Sequence, residues 1–378
     1  AEDVIGRFIE EEGRYPESVG IILWATSNLR NHGQCVAEFL YLMGLRPVWQ
    51  PGSQRVVDLE VIPLEELQRP RVDVTGRISG LFRDSMPGSV IWLDDAAQRI
   101  ASLDEPTDLN FVRKHVLEEA GELEKSGLDK QAAWRQASYR VFGDPPGAHG
   151  AGTGAVLEAK NWETIDDIAA VYTRWGAHAY GEGSEGTYMP ETFKKRMSQI
   201  DITVQNVDHR ESSMLSGDDY NNYRGGMIAA VRSYKGSMPR NYVSDSSDRS
   251  KVQLRSLTEE LKRWFRGEAM NPKYIAGMKK HGYKGAGDLA TYVAVSYQWD
   301  ATSDIMEDWM YEKYAAKYAL DKDMQQWMQE VNPWALHRIT EVLLEAEQRG
   351  MWQAKPETKQ ALQELFLSME GELEERGE

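Results

Sequence analysis

The chain has one cysteine, Cys35, among 378 residues. That excludes an internal disulfide framework and any zinc site built on two cysteine ligands. A reducing compartment fits this, and a cytoplasmic location is expected. No run approaches the roughly 18 consecutive apolar residues of a membrane span. The opening Ala1-Glu2-Asp3-Val4 also lacks the basic start and apolar core of a signal peptide. A soluble protein without a membrane span is therefore expected. Basic residues are in deficit: 44 Lys and Arg stand against 60 Asp and Glu, for a net charge of -16. A general nucleic-acid or anionic-membrane surface is excluded on that balance, although a local basic pocket is not. A phosphate-binding loop is missing as well, since neither GxGxxG after a strand nor GxxxxGK[ST] occurs. No P-loop ATPase is expected within this polypeptide. The first residue is not methionine, which fits a processed chain or a piece of something longer.

The length exceeds what one core usually holds, so two domains, or an α/β unit with a helical extension, are expected. Val19-Gly-Ile-Ile-Leu-Trp24 has the length and apolarity of a buried strand. Polar Thr26-Ser27-Asn28, a helical stretch from Gly33 to Met43 and a second strand at Arg46–Trp49 follow it. Val57, Leu59 and Val61 alternate with acids, and Val72, Val74 and Ile78 alternate with Asp73, Thr75 and Arg77, which is the period of half-buried strands. On that reading Arg77 points to a polar face. From about Pro106 onward alternation gives way to helical spacing. The expected architecture is an α/β N-terminal part followed by a mainly α-helical region, α+β overall. The expected domains are 1–105, a mainly helical region over 106–355, and an acidic C-terminal tail over 356–378.

Chemistry concentrates at three places. Gln205-Asn206-Val207-Asp208-His209-Arg210-Glu211 packs acids, a histidine and amides into one run. Consecutive residues cannot share one side of a helix or strand, so Asp208, His209 and Glu211 are expected on a bend. Such a run either holds a metal and moves protons or caps its own turn. Gly143–Gly154, which contains His149, is a glycine-rich loop that either approaches a ligand closely or connects domains. Gly80-Leu81-Phe82-Arg83-Asp84 follows a strand directly, where α/β folds place working side chains. The helix expected over 165–180 carries His178 near its apolar stripe, and His281-Gly282-Tyr283-Lys284-Gly285 reads as another loop.

Taken in order, ten segments resemble one known family. They are Gly44–Trp49, Glu60–Leu64, Arg69–Val74, Ile78–Asp84, Asn110–His115, Val141–Gly143, Gln205–Asp208, Asn271–Tyr274, His281–Gly285 and Trp299–Thr302. They resemble the large subunit of aerobic cobaltochelatase and the porphyrin-binding subunit of magnesium chelatase, over most of the chain. The resemblance implies the C-terminal portion of a much longer subunit that binds a tetrapyrrole and inserts a divalent metal, Co2+ or Mg2+. ATP would be hydrolysed by an AAA+ ATPase subunit working with a metal-binding-domain subunit. An upstream histidine- and glutamate-containing motif of the family is absent, so a separate chain carrying the missing N-terminal part is a further implied partner.

Metal insertion needs a base for two pyrrole-type protons, ligands that hold and release the ion, and cations for the macrocycle's carboxylates. Asp208, His209 and Glu211 are the expected catalytic residues, with His209 and Glu211 as metal ligands. Arg77, Arg83, Asp84, His149, His281 and Lys284 are the expected substrate-binding residues. The chain departs from the cobaltochelatase pattern at Arg224 and His149, where histidine and tyrosine are usual, and at Gln34-Cys35, where an acidic pair is usual. Metal identity, and insertion against removal from a haem-like ring, therefore stay open, as does a non-catalytic tetrapyrrole carrier.

Overall fold

The computed structural model describes residues 1–53 and 55–376, with side chains described to residue 371. The last residues of the expected acidic tail, Gly377 and Glu378, lie outside the described residues. The chain divides into two compact units. One comprises Ala1–Val156, Trp162–His209 and Asn222–Ser256, and the other Leu157–Asn161, Arg210–Asn221 and the chain from Leu257 onward.

The first unit is built on a mixed sheet. In chain order its strands are β1 (Ser18–Leu23), β4 (Asp73–Ile78), β5 (Val141–Gly143), β6 (His178–Gly181), β7 (Ser184–Tyr188), β8 (Ile202–Val207), β9 (Arg240–Asp245) and β10 (Gln253–Ser256). A separate ribbon pairs β2 (Leu45–Trp49) with β3 (Val56–Val61). The spatial order is β10-β9-β8-β1-β4-β5-β6-β7. The five central strands are parallel, and β10, β6 and β7 are antiparallel additions. All six residues of β1 and of β4 are buried, because helices cover both faces of a parallel sheet. On one face Ile21, Val74 and Val204 pack against the helix Gln34–Met43 and its neighbours. On the other, Ile22, Phe142 and Phe193 pack with Tyr172 and Met227. Gly226 opens the helix Gly226–Lys235, and a Cβ there would collide with the ring of Tyr172, so only glycine allows this approach.

Several expectations are corrected here. The region read as mainly helical from residue 106 also contains β5 to β10, strands of three to six residues too short to show a period. Arg77 does not face a polar side, because the face that alternation marks as polar is itself covered and Arg77 is fully buried. The helix expected over 165–180 ends at Gly176, and His178 opens β6. Gly183, with Glu182, forms the turn of the β6–β7 hairpin.

The second unit is helical. Its central helix, Gly282–Ser303, has sixteen buried residues, and Asp300 lies in its last turn. Asp300 accepts from Met306 N and Tyr311 Oη, each at 2.9 Å. Burial pushes its carboxyl up to about 6 against those hydrogen bonds. Trp299 Nε1 donates to Met214 O at 2.9 Å, which fastens the 210–221 segment of this unit. The helix from Pro356 is not merely a solvated tail, since Leu362 and Met369 are buried.

At the amino ends of the parallel strands lies a buried charge network. Asp73 accepts from Arg140 Nε at 2.6 Å and pairs with His115 Nδ1 at 2.8 Å, and Glu17 lies 3.4 Å from His115 Nε2. Burial would raise the Asp73 carboxyl, but Arg140 and His115 outweigh it and hold it below the ordinary range. Glu17 is held down to about 2, chiefly by His115. His115 is disfavoured as a cation by burial, yet Asp73 and Glu17 carry it above its ordinary value. The carboxylate contribution is complete above about pH 4 and lost as pH falls through the depressed folded values. The His115 contribution is complete below about pH 6.5 and lost as pH rises through the raised folded value. Asp73→Asn should cost about 3–5 kcal/mol by stranding Arg140 and should flatten both limbs. Urea unfolding across the pH range checks this, and a variant that retains the wild-type profile refutes it.

Candidate functional site

Because the five central strands are parallel, the loops after β1, β4, β5, β8 and β9 emerge at one edge of the sheet. The chain passes from β1 to β4 on one side, while β8 lies on the other. The strand order therefore reverses between β1 and β8, and the crevice outside such a reversal is where open α/β sheets bind ligands.

Asp208 stands at this point, directly after β8. Arg30, from the helix Ala25–Asn31 that follows β1, grips it with Nε and Nη2, both at 2.9 Å. The Asp208 side chain keeps only 7% exposure. Beneath it, Asn206 Nδ2 donates to Glu38 Oε2 at 2.6 Å and reaches Cys35 Sγ at 3.4 Å. Burial foremost pushes the Cys35 thiol up to about 11, so it is a packed, protonated group and not a ready thiolate ligand. Ser246, after β9, donates to Gln34 Oε1 at 2.9 Å. The first turns of the helix Gln34–Met43 are thus tied to the ends of two strands. His209 is half-buried beside Asp208, and Glu211 is exposed in the segment assigned to the helical unit. Among the described residues, no group of three or more His, Cys, Asp or Glu side chains could hold a metal ion.

The second cluster forms around the loop after β5. Arg77 and Asp144 make an ion pair at 2.5 Å with both side chains fully buried. Asp144 also accepts from Gly150 N at 3.0 Å and from Tyr223 Oη at 3.1 Å, so it clamps both ends of the loop 144–150. Burial disfavours the Arg77 cation, but Asp144 and the rings of Tyr172 and Tyr223 reverse that and keep it charged. Burial raises the Tyr223 phenol to about 12, which keeps it a hydrogen-bond donor. Tyr223 also packs against Trp24, after β1, with ring centroids 4.5 Å apart.

Above this pair, Arg83 donates to Pro145 O at 2.8 Å and to Ala148 O at 3.2 Å, and it forks onto Asp84 at 2.7 and 3.0 Å. The Arg83 bonds hold the Asp84 carboxyl below its ordinary range. His149 Nε2 lies 3.3 Å from Asp84 Oδ2, and the imidazole rests on Gly80, where a Cβ would meet Nδ1 at 2.6 Å. Next to them is a cleft of about 980 Å³ lined by Arg83, Asp84, Pro87, Val90, Ile91, Tyr180, Glu182 and Glu185 among others.

The structure therefore brings Arg83, Asp84 and His149 together. Of the arginines expected to bind a macrocycle's carboxylates, Arg77 is sealed against Asp144, and Arg83 is engaged with Asp84 and the loop carbonyls. The side chains lining the cleft leave it acidic in net character. His281 and Lys284 belong to the helical unit, where His281 precedes the long helix and Lys284, exposed, pairs with Asp288 one turn on. Arg30, Glu38, Asp144 and Tyr223 were not singled out as site residues by sequence reasoning. Asp144 had a signal, a lone acid opening a glycine-rich loop. Arg30, 178 residues from its partner, had none.

Asp144→Asn should strand the Arg77 cation and cost about 3–5 kcal/mol, with faster amide exchange across 144–150. Joint replacement, Arg77→Met with Asp144→Leu, should recover most of the stability but not the protection of Gly150. Hydrogen exchange read by mass spectrometry checks both, and an unchanged Gly150 rate in the single variant would overturn the clamp.

Residues 1–359 match the family model described as CobN/Magnesium Chelatase. An uncharacterised protein of Methanocaldococcus jannaschii is 50% identical over 376 residues, covering 100% of this chain and 30% of that protein. The aerobic cobaltochelatase subunit CobN of Pseudomonas aeruginosa is 42% identical over 98% of this chain and 30% of its own length. A magnesium-chelatase subunit of Chlorobaculum parvum is 33% identical over 99% of this chain and 29% of its own. In structure, the catalytic subunit of cobaltochelatase from Mycobacterium tuberculosis superposes with a TM-score of 0.93 at 42% identity, over 98% of this chain and 31% of that one. The chain thus spans about three-tenths of the length of the relatives it matches. With motifs, fold and near-complete coverage in agreement, the chain belongs to the CobN/magnesium chelatase family and corresponds to a portion of its large subunit.

Proposed function

We propose that this chain supplies part of the tetrapyrrole-handling surface of an ATP-dependent metal chelatase. The divalent metal, Co2+ or Mg2+, is a substrate, and the ring is of corrin or porphyrin type. The observation that supports this reading most is the match of nearly the whole chain, in sequence and fold, to a cobaltochelatase catalytic subunit. A polypeptide without a P-loop leaves nucleotide hydrolysis to other subunits, which is the part proposed for an AAA+ ATPase and a metal-binding-domain partner.

In this proposal the carboxyl edge of the sheet faces the ring. His209 stands at that edge to meet the ion and, with Asp208, to accept the pyrrole-type protons, and Glu211, in the helical unit, is a further candidate ligand. The Arg30 fork orients Asp208 and occupies both of its carboxylate oxygens, which become available only when that fork opens. The cleft beside Arg83, with Pro87, Val90, Ile91 and Tyr180, offers an apolar wall to a flat macrocycle.

The test combines this chain with the remaining subunits of a chelatase, ATP, and a metal-free tetrapyrrole. Metal insertion is followed by the ring's absorption, and ring binding by quenching of the 12 tryptophans. Replacing Asp208, His209 and Glu211 together by alanine should slow insertion by about 10²–10⁴, the usual worth of a positioned acid–base group, while ring binding persists. An unchanged insertion rate defeats the site assignment. Ring binding with no metal exchange under any subunit combination would make the chain a carrier. Release of metal from a metallated ring would reverse the direction of the reaction.

A further inference from the structure

We infer that the β2–β3 ribbon is a docking surface for the part of the chelatase large subunit that lies outside the region matched by this chain. The inference rests on the family relation and not on the proposed ring chemistry.

The ribbon stands apart from the main sheet, and among the described residues no third strand pairs with it. Two strands alone are marginal in water and need packing on at least one face. At its base that need is met. Leu45 pairs with Val61 and Pro47 with Leu59, and Leu45 and Leu59 are buried against the core. Residues directly opposite share a face, and Trp49, two after Pro47, carries that face outward to the register shift, where Val57 is the residue the ladder passes over. There the support ends. Val57 is 46% exposed, Trp49 53% and Val48 37%, at the far end of the ribbon next to a register shift.

The ribbon's charges are already spoken for. Arg46 forks onto Glu60 at 2.8 Å and reaches Glu66 at 2.6 Å. Arg99 pairs with Asp58 at 2.8 Å and donates to Leu59 O at 2.9 Å. What remains is an apolar end with a tryptophan, the composition of a permanent interface core and the residue type that dominates such interfaces. Pro47 removes a donor from β2, and Arg99 occupies the Leu59 carbonyl. The ribbon is therefore a poor template for strand addition, and its partner covers a face. Natural proteins do not leave such a ribbon bare in water.

The occupant follows from length. The relatives are more than three times as long as the matched region, so a large stretch of the same subunit is on hand to cover this surface. A ribbon that is apolar, charge-paired and continuous with the core is the surface built for permanent cover.

The probe is the stretch of the Methanocaldococcus jannaschii relative outside its match to this chain, co-expressed as a separate polypeptide with this full chain. Co-purification and a titration of the separated partners read the interaction. Trp49→Asp and Val57→Asp should each weaken binding about tenfold or more, with melting temperature unchanged because both sites are exposed. Leu117→Asp and Met238→Asp, at exposed apolar positions elsewhere in the same unit, should bind as the parent does. Parent-like affinity of the ribbon variants, or no co-purification with the parent chain, overturns the inference. So does ribbon-dependent self-association of the parent in sedimentation velocity, which would make a second copy the occupant.

Discussion

The ion pair between Arg77 and Asp144 is the interaction on which the carboxyl edge depends. Neither side chain touches solvent, so their mutual attraction must compensate for taking both charges out of water. It does so only because Gly150 N, Tyr223 Oη and Ile78 O satisfy further donors and acceptors around them. The consequence is positional. A glycine-rich loop that would otherwise sample many conformations is fixed at both ends, which sets His149 onto Gly80 and within reach of Asp84. A buried pair of this kind contributes specificity of arrangement more than net stability.

The Arg30–Asp208 fork works at the other side of β1 and on a different principle. Arg30 is 45% exposed, so its attraction for Asp208 is screened by water and is a modest tether that can be exchanged. One loop of the edge is therefore locked by a buried charge pair, and its neighbour is held by a solvent-facing one. The site proposed here, which would admit a large ring and then an ion, gains from that asymmetry, because the acid at the strand reversal is held in place until a competing partner displaces the guanidinium.

Much of the first eighty residues was legible from period and length alone. Val19 to Leu23, the helix ending at Met43, and the alternating runs of β3 and β4 all carry local signals. What misled was the assumption that alternation marks a solvent face. In β4 both faces are covered, and Thr75 and Arg77 are buried polar residues of a parallel sheet. The strands from β5 onward are only three to six residues long, so they offer neither a sustained alternation nor an apolar run. In the helical unit, the glycines at 282, 285 and 287 disguise the start of the long helix as a loop. The ordered motifs identified the family, yet the pairings that shape its edge, Arg30 with Asp208 and Arg77 with Asp144, join residues far apart in the chain. No local pattern encodes them.

Charge narrows how this surface could meet the ring and ion proposed for it. The chain is strongly acidic overall, and the cleft beside Arg83 is lined by Asp84, Glu182 and Glu185 with its one arginine already engaged. A field of that sign concentrates divalent cations and opposes the carboxylates of a macrocycle. Under the proposed function, ring recognition at this edge would rest on the apolar wall, with the periphery of the macrocycle turned toward solvent or toward basic groups of another segment. The same field would favour delivery of the ion. On that proposal the electrostatic work of this portion lies on the metal side, and the ring's anionic rim is anchored by the rest of the complex.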